Sequence, residues 1–251
     1  MTVAIVTHKL VDNRLSAPDG YRWLGVGESG EKIAEAYRGI TDRTGDSIAD
    51  LNSVFCELTA MYWLWKNCDD DIKGLVHYRR YFTNPSGFPL TMGDIEDKLD
   101  HSDLIVPKKY HLIATVEQHY ASHHDVQDLE CARSIVSELH PAFLDAFDAC
   151  MKSHFVYPYN MIIAHREAFD AYCAWLFPIL FELVQVRRRE MRDSYQGRFI
   201  GFVSERLLGV YLLGSGSRYC ENEVFLSELR LKQRVSMTLG RLFHGQESLS
   251  V

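Results

Sequence analysis

Gly74-Leu75-Val76 runs directly into His77-Tyr78-Arg79-Arg80-Tyr81-Phe82: a short apolar strand that ends in one imidazole, two guanidiniums and three aromatic rings. An unbroken apolar run is the signature of a strand buried on both faces of its sheet. Guanidiniums drawn out of water at the end of such a strand need anionic partners. Two sources are open. The chain can supply them from Asp46, Asp50 and the Asp69-Asp70-Asp71 run, or a ligand can supply phosphate, which the paired donors of Arg suit.

The rest of the chain repeats this alternation of apolar runs with stretches of helical period. Thr2-Val3-Ala4-Ile5-Val6, Asp103-Leu104-Ile105-Val106-Pro107 and Met161-Ile162-Ile163-Ala164 read as strands. Leu51, Val54, Phe55, Leu58, Met61, Tyr62 and Trp65 recur at three- and four-residue steps, predicting one helix capped by Asp50 or Asn52, with Glu57 and Thr59 facing solvent. Further helices are predicted around 126–139, 143–151, 169–184 (kinked at Pro178) and through Leu207 to Leu212. Residues 10 to 30, with Pro18 and four glycines, read as a long connection. Strands alternating with helices predict an α/β fold, a mixed and mostly parallel sheet flanked by helices.

Bulk properties remove several classes. A chain of 251 residues is one large domain or two small ones, and a formal net charge of −7 argues against general nucleic-acid binding. The six cysteines are scattered without a Cys-x-x-Cys pair, as expected of reduced thiols in the cytoplasm. No secretory leader is evident, because Met1 to Val6 is too short an apolar run. The longest apolar segment, Ala174 to Val186, contains Pro178 and Glu182 and reads as a buried helix, not a membrane span.

Three constellations carry chemistry. Lys9, His77, Arg79 and Arg80 can share the carboxyl edge of one sheet, where open α/β folds bind ligands. If strand alternation continues past His77, Arg79 shares its face and meets the ligand ahead of Arg80. His119, His123 and His124 with Asp125 form a second group, either a metal site or a hydrogen-bonding surface cluster; a helix beginning near Asp125 leaves no third ligand in evidence. The third is Glu205, beside Arg198 and Arg206 and expected at a helix N-terminus, which favours the ionised carboxylate a base requires. No glycine-rich phosphate loop and no nucleophile elbow is present.

These segments, taken together, resemble a glycosyltransferase family of bacterial capsule, exopolysaccharide and O-antigen clusters, long catalogued as a domain of unknown function. The resemblance rests on Val3 to Lys9, Asn52, Glu57-Leu58-Thr59, Tyr62-Trp63-Leu64-Trp65-Lys66-Asn67 and Gly74 to Phe82. It extends through Tyr120 with His124, Tyr157-Pro158-Tyr159-Asn160-Met161, Tyr172 to Phe177, and Arg198 with Gly201-Phe202 and Ser204 to Leu208. It implies a GT-A-like domain over 1–228, with 229–251 as a basic amphipathic tail. The implied reaction moves a sugar, galactofuranose in some members, from a UDP-linked donor to a surface polysaccharide or lipid-linked glycan, with inversion. His77-Tyr78-Arg79 stands where many GT-A enzymes carry a metal-binding Asp-x-Asp, so no metal or other cofactor is expected.

The roles the resemblance implies follow from these matches. Thr7, His8, Lys9, Asn52, His77, Tyr78, Arg79, Arg80, Asn160 and Arg198 hold the donor, and Tyr120 and Tyr159 line the acceptor side. Glu205 deprotonates the acceptor, with His124 or Asp125 in reserve. Residues 229–244 carry Arg230, Lys232, Arg234 and Arg241 and no acid, so the tail either lies on the inner face of an anionic membrane or packs as a terminal helix. Two other readings remain: a metal-dependent hydrolase using His119, His123 and His124, and a non-catalytic nucleotide-sugar binding module.

Overall fold

The computed structural model describes residues 1–11, 18–187, 193 and 195–226. The tail lies outside them. One mixed sheet organises the chain. Strands β1 (Thr2–Thr7), β2 (Tyr21–Gly25), β3 (Ile40–Thr41) and β4 (Ile72–His77) lie in the order β3-β2-β1-β4, all parallel. Beyond β4 the sheet continues through β9 (Ile162–His165), which runs antiparallel, and then β6 (Leu104–Pro107) and β10 (Tyr219–Asn222). Strand β5 (Arg80–Phe82) folds back on β4 and pairs with β11 (Val224–Leu226).

This order brings the carboxyl ends of β1, β2, β3 and β4 to one edge. Because β9 is antiparallel, the loop before it, Tyr159–Asn160, arrives at that same edge. The two strands approach closely here. A Cβ at Gly74 would stand 2.3 Å from the Ile162 carbonyl and 2.6 Å from Ile163 Cα, so only glycine permits this pairing.

One sheet face, through Ala4, Val6, Leu24, Leu75 and Ile162, is covered by a thick helical layer. That layer comprises α2 (Asn52–Phe55), α3 (Leu58–Asn67), α5 (Val116–Ala121), α6 (Gln127–Leu139), α7 (Leu144–Lys152), α8 (Arg166–Arg187) and α9 (Phe199–Ser215). The other face, through Val3, Ile5, Val76 and Ile163, packs on Ile95 and Leu99 of α4 (Met92–Leu99). Helix α1 (Gly30–Tyr37) closes the β2–β3 end, and a two-stranded ribbon, β7 (Tyr110–His111) with β8 (Phe155–Val156), borders the helical layer.

Several expectations change. The single helix from Leu51 to Trp65 is broken: Cys56 adopts φ 52, ψ −130, ending α2 before α3 begins. Neither Asp50 nor Asn52 caps it with its side chain, and Thr59 is buried. Tyr21–Gly25, expected in a loop, is a strand, because Tyr21, Trp23 and Leu24 are covered by neighbours that a local window does not contain. Helix α8 is one continuous element from Arg166 to Arg187 with Pro178 inside it. It is long and apolar enough to cross a membrane, but ten of its residues are buried within the protein.

Candidate functional site

The carboxyl edge opens into a cleft of about 700 Å³ between the sheet and the helical layer. Its first wall is the β4–β5 hairpin. His77 pairs with Arg80, leaving Tyr78-Arg79 as a two-residue turn, and the Tyr78 N–H donates to the Val6 carbonyl of β1 (3.0 Å). The chain therefore reverses where alternation was expected to continue, and Arg79 and Arg80 both line the cleft. The ranking of Arg79 over Arg80 falls with the strand geometry it assumed.

The Arg80 guanidinium lies 4.4 Å from the Tyr159 ring centroid, and its Nη1 is 3.4 Å from His77 Nδ1. A guanidinium can only donate, so Nδ1 accepts in this contact and the neutral ring's proton is on Nε2. Among the described residues Nε2 makes no hydrogen bond, while the Tyr159 backbone lies close enough to the ring to favour its charged form. Burial, then Arg80, Arg79 and Arg198, hold His77 well below the ordinary imidazole range. His8 is lowered by burial and then by Lys9, Arg79 and Arg198. Burial first, and then the cations concentrated around them, keep both imidazoles neutral.

Of the five carboxylates suspected of neutralising these cations, four are engaged elsewhere. Asp70 bonds Thr2 and the N-terminal amine, and Asp71 pairs with Arg166, both at the opposite edge of the sheet. Asp46 accepts from Tyr62 and Asp50 from Arg43. Among the described residues no carboxylate lies within ion-pair distance of Arg80.

The second wall joins α2, the β9 loop and α9. Asn52 donates to the Cys56 carbonyl (2.8 Å) and to Thr59 Oγ1 (3.1 Å). Asn160 Nδ2 donates to Glu57 Oε1 (2.8 Å) and the Gly201 carbonyl (3.1 Å). The Tyr159 N–H donates to Glu205 Oε1 (2.9 Å), while Arg206 Nη1 donates to Glu205 Oε2 (3.0 Å). Arg198 Nε donates to Cys56 Sγ (3.1 Å). Burial pushes the Cys56 thiol up to about 11, so it is no nucleophile at neutral pH.

Glu205 is the seventh residue of α9, beyond the first turn where a helix end lowers a carboxylate's pKa. Burial raises it instead, against the opposing pull of Arg206. Glu57, expected to face solvent, enters the cleft because the break at Cys56 redirects it.

The far end holds the histidines. His124 stacks on Phe202 with centroids 4.1 Å apart, and its Nδ1 meets Gln196 Oε1 (3.2 Å). His119 and His124 are both lowered to about 4, mainly by burial. His119 and His123 rings lie 4.9 Å apart, but His123 Nδ1 is turned to Ser122 Oγ and the His119 carbonyl. Among the described residues no group of three metal-ligating side chains has the geometry to hold an ion. The hydrolase reading gains no ligand set.

Thr7, His8, Asn52, His77, Tyr78, Arg79, Arg80, Tyr159, Asn160, Arg198, Glu205 and His124 thus converge on one cleft. Three expected residues do not join its lining. Lys9 stays at the rim, its amine 5.5 Å from the Tyr78 ring centroid. Tyr120 is fully buried, its hydroxyl donating to Asp128 (3.3 Å). Asp125 accepts from the Gln127 N–H at the start of α6 and pairs with Arg187. Glu57, Cys56, Phe202 and Arg206 were missed as site residues. The family resemblance includes Glu57, Phe202 and Arg206 without giving them a role, and the spacing of Glu57 points outward.

Residues 2–216 match a protein family described as a domain of unknown function, DUF4422. Among solved structures, the chain is similar to the apo structure of WbbM, a bifunctional glycosyltransferase, with a TM-score of 0.79 and 24% sequence identity. The similarity covers 90% of this chain and 45% of that one, so the chain spans less than half the length of its structural neighbour. No curated protein matches the chain.

Proposed function

Because the chain belongs to the DUF4422 family, whose fold here is shared with a glycosyltransferase, we propose that it transfers a sugar from a nucleoside-diphosphate donor to a hydroxyl acceptor. The observation that carries this reading is the clustering of Arg79, Arg80 and Arg198 around a neutral His77 in one cleft. Breaking the bond between a sugar's anomeric carbon and a diphosphate leaves negative charge on the phosphate. Preorganised cations in a partly desolvated cleft stabilise that charge most as it develops. The cleft's volume, about 700 Å³, also lies within the range typical of ligand sites.

A divalent metal does not suit this hairpin. Guanidiniums offer no lone pair to a metal, and the two already in place repel a further cation. Neutralising the leaving group falls to Arg79 and Arg80, with the His77 Nε2–H as a further donor. Two carboxylates, Glu57 and Glu205, stand on the facing wall, where an acceptor hydroxyl must lose its proton. In finer detail, the donor is UDP-linked, with galactofuranose as one candidate sugar. The acceptor is a growing surface glycan, lipid-linked or free, and displacement inverts the anomeric centre. The enzyme would then work in the cytoplasm, at the membrane's inner face when its acceptor is lipid-linked.

A thermal-shift panel of nucleotides and nucleotide sugars, followed by UDP-release assays with and without EDTA, tests the reading. UDP and its sugars should raise the melting temperature, and turnover should survive chelation. No stabilisation by any nucleotide refutes the donor site. Activity abolished by EDTA and restored by manganese refutes the metal-free account.

A further inference from the structure

Four described non-glycine residues have positive φ: Arg38, Cys56, Tyr159 and Asn160. Three of them meet at one spot on the cleft wall. Side chains in this region cost on the order of 1–3 kcal/mol unless the surroundings enforce them, with Asn the most tolerant. Here the three distortions serve one arrangement. Cys56 (φ 52) breaks the helix and delivers Glu57 to the cleft. Asn160 (φ 48) aims its amide at Glu57 Oε1, 2.8 Å away. Tyr159 (φ 81) turns its N–H onto Glu205 Oε1, 2.9 Å away.

The two carboxylates end in different states. Both oxygens of Glu205 are engaged, one by the Tyr159 N–H and one by Arg206. Glu57, which lines the cleft, has one oxygen fixed by Asn160, while Oε2 accepts no hydrogen bond among the described residues. A base needs an oriented carboxylate with an accessible oxygen, and of the two only Glu57 keeps an oxygen that accepts no hydrogen bond among the described residues.

Resting on the transferase reading, we infer that Glu57 is the catalytic base and that Glu205 is a positioning residue holding the Tyr159–Asn160 turn. The acceptor oxygen attacks the anomeric carbon, and its proton passes to Glu57 Oε2. The bond from that carbon to the diphosphate oxygen breaks, its electron pair leaving on the diphosphate beside Arg79 and Arg80. The proton on Glu57 is released to solvent, so atoms and charge balance without a further reactant.

The test uses the full-length chain with UDP and a panel of UDP-hexoses, with water and small alcohols as surrogate acceptors. Glu57→Gln preserves the Asn160 contact. It should bind UDP within about threefold of wild type yet lose about 10²- to 10⁴-fold in kcat, the span of general-base catalysis. The acidic limb of the pH–rate profile should vanish with it. Glu57→Ala should be partly rescued by added formate, which a structural role would not allow. Glu205→Gln should keep the acidic limb, and Glu205→Ala should gain nothing from formate.

An active wild type whose Glu57→Gln variant turns over normally overturns this assignment and leaves the transferase reading intact. Formate rescue of Glu205→Ala rather than Glu57→Ala reverses the two roles. A wild type that neither binds UDP nor releases it from any UDP-hexose overturns the transferase reading, and the assignment with it.

Discussion

Replacing Arg80 with Met separates a ligand-binding cation from a structural one. In the free protein its guanidinium has a 3.4 Å contact with His77 Nδ1, a ring 4.4 Å away in Tyr159, and a buried Nε without a partner. The cation–π contact contributes on the order of 1 kcal/mol. Desolvation of Nε and repulsion from Arg79 and Arg198 offset it. Arg80→Met should therefore change stability by no more than about 1 kcal/mol, or about 2–4 °C in Tm for a chain of this size. A structural buried ion pair broken in the same way would cost about 3–5 kcal/mol.

Ligand binding should respond in the opposite manner. A hydrogen bond to a charged group contributes about 1.5–3 kcal/mol, so UDP affinity should fall about 10- to 150-fold. The gap between wild type and variant should narrow with added salt. Calorimetric titration with UDP, alongside melting of the free protein, reads both quantities. Unchanged UDP affinity, or a loss of about 10 °C in the free protein's Tm, would falsify the reasoning.

Stability should also report the neutral histidines. The folded-state pKa values of His119 and His124 are lowered from 6.5 to about 4, so the unfolded chain binds protons first as pH drops. Their contribution is complete above pH 6.5 and is lost as pH falls toward 4. Glu205 and Asp42, both raised by burial, pull the other way, so the difference between variants is the useful quantity. His124→Phe, which preserves the stack on Phe202, should flatten the decline in Tm across that window; an unchanged slope would contradict the assignment. Gly74→Ala places a methyl 2.3 Å from the Ile162 carbonyl. It should destabilise by at least about 1–3 kcal/mol, the usual penalty of overpacking, and a urea midpoint equal to wild type would show that β4 and β9 separate freely.

The legible parts of the fold are those whose burial is written locally. Strands β1 and β6 are apolar runs and β4 carries one at Leu75-Val76, while α6, α7 and α9 keep an apolar face at helical period. Strand β2 lacked such a signal, being short and set among Gly and Pro residues. In the site, Lys9, Tyr120 and Asp125 carried suitable chemistry but were drawn to the rim, into the core and onto Arg187 respectively. Residue type alone does not reveal such diversions.

The sequence by itself determined that cations end the central strand, because a guanidinium is charged in every fold and a strand's apolar run is visible in a few residues. Only the tertiary structure decided which cleft carboxylate keeps an oxygen without a hydrogen bond among the described residues. That depends on Asn160 reaching Glu57 across 103 residues and on Arg206 occupying Glu205. Desolvation and hydrogen bonding belong to spatial neighbours, and those neighbours come together only when the chain folds.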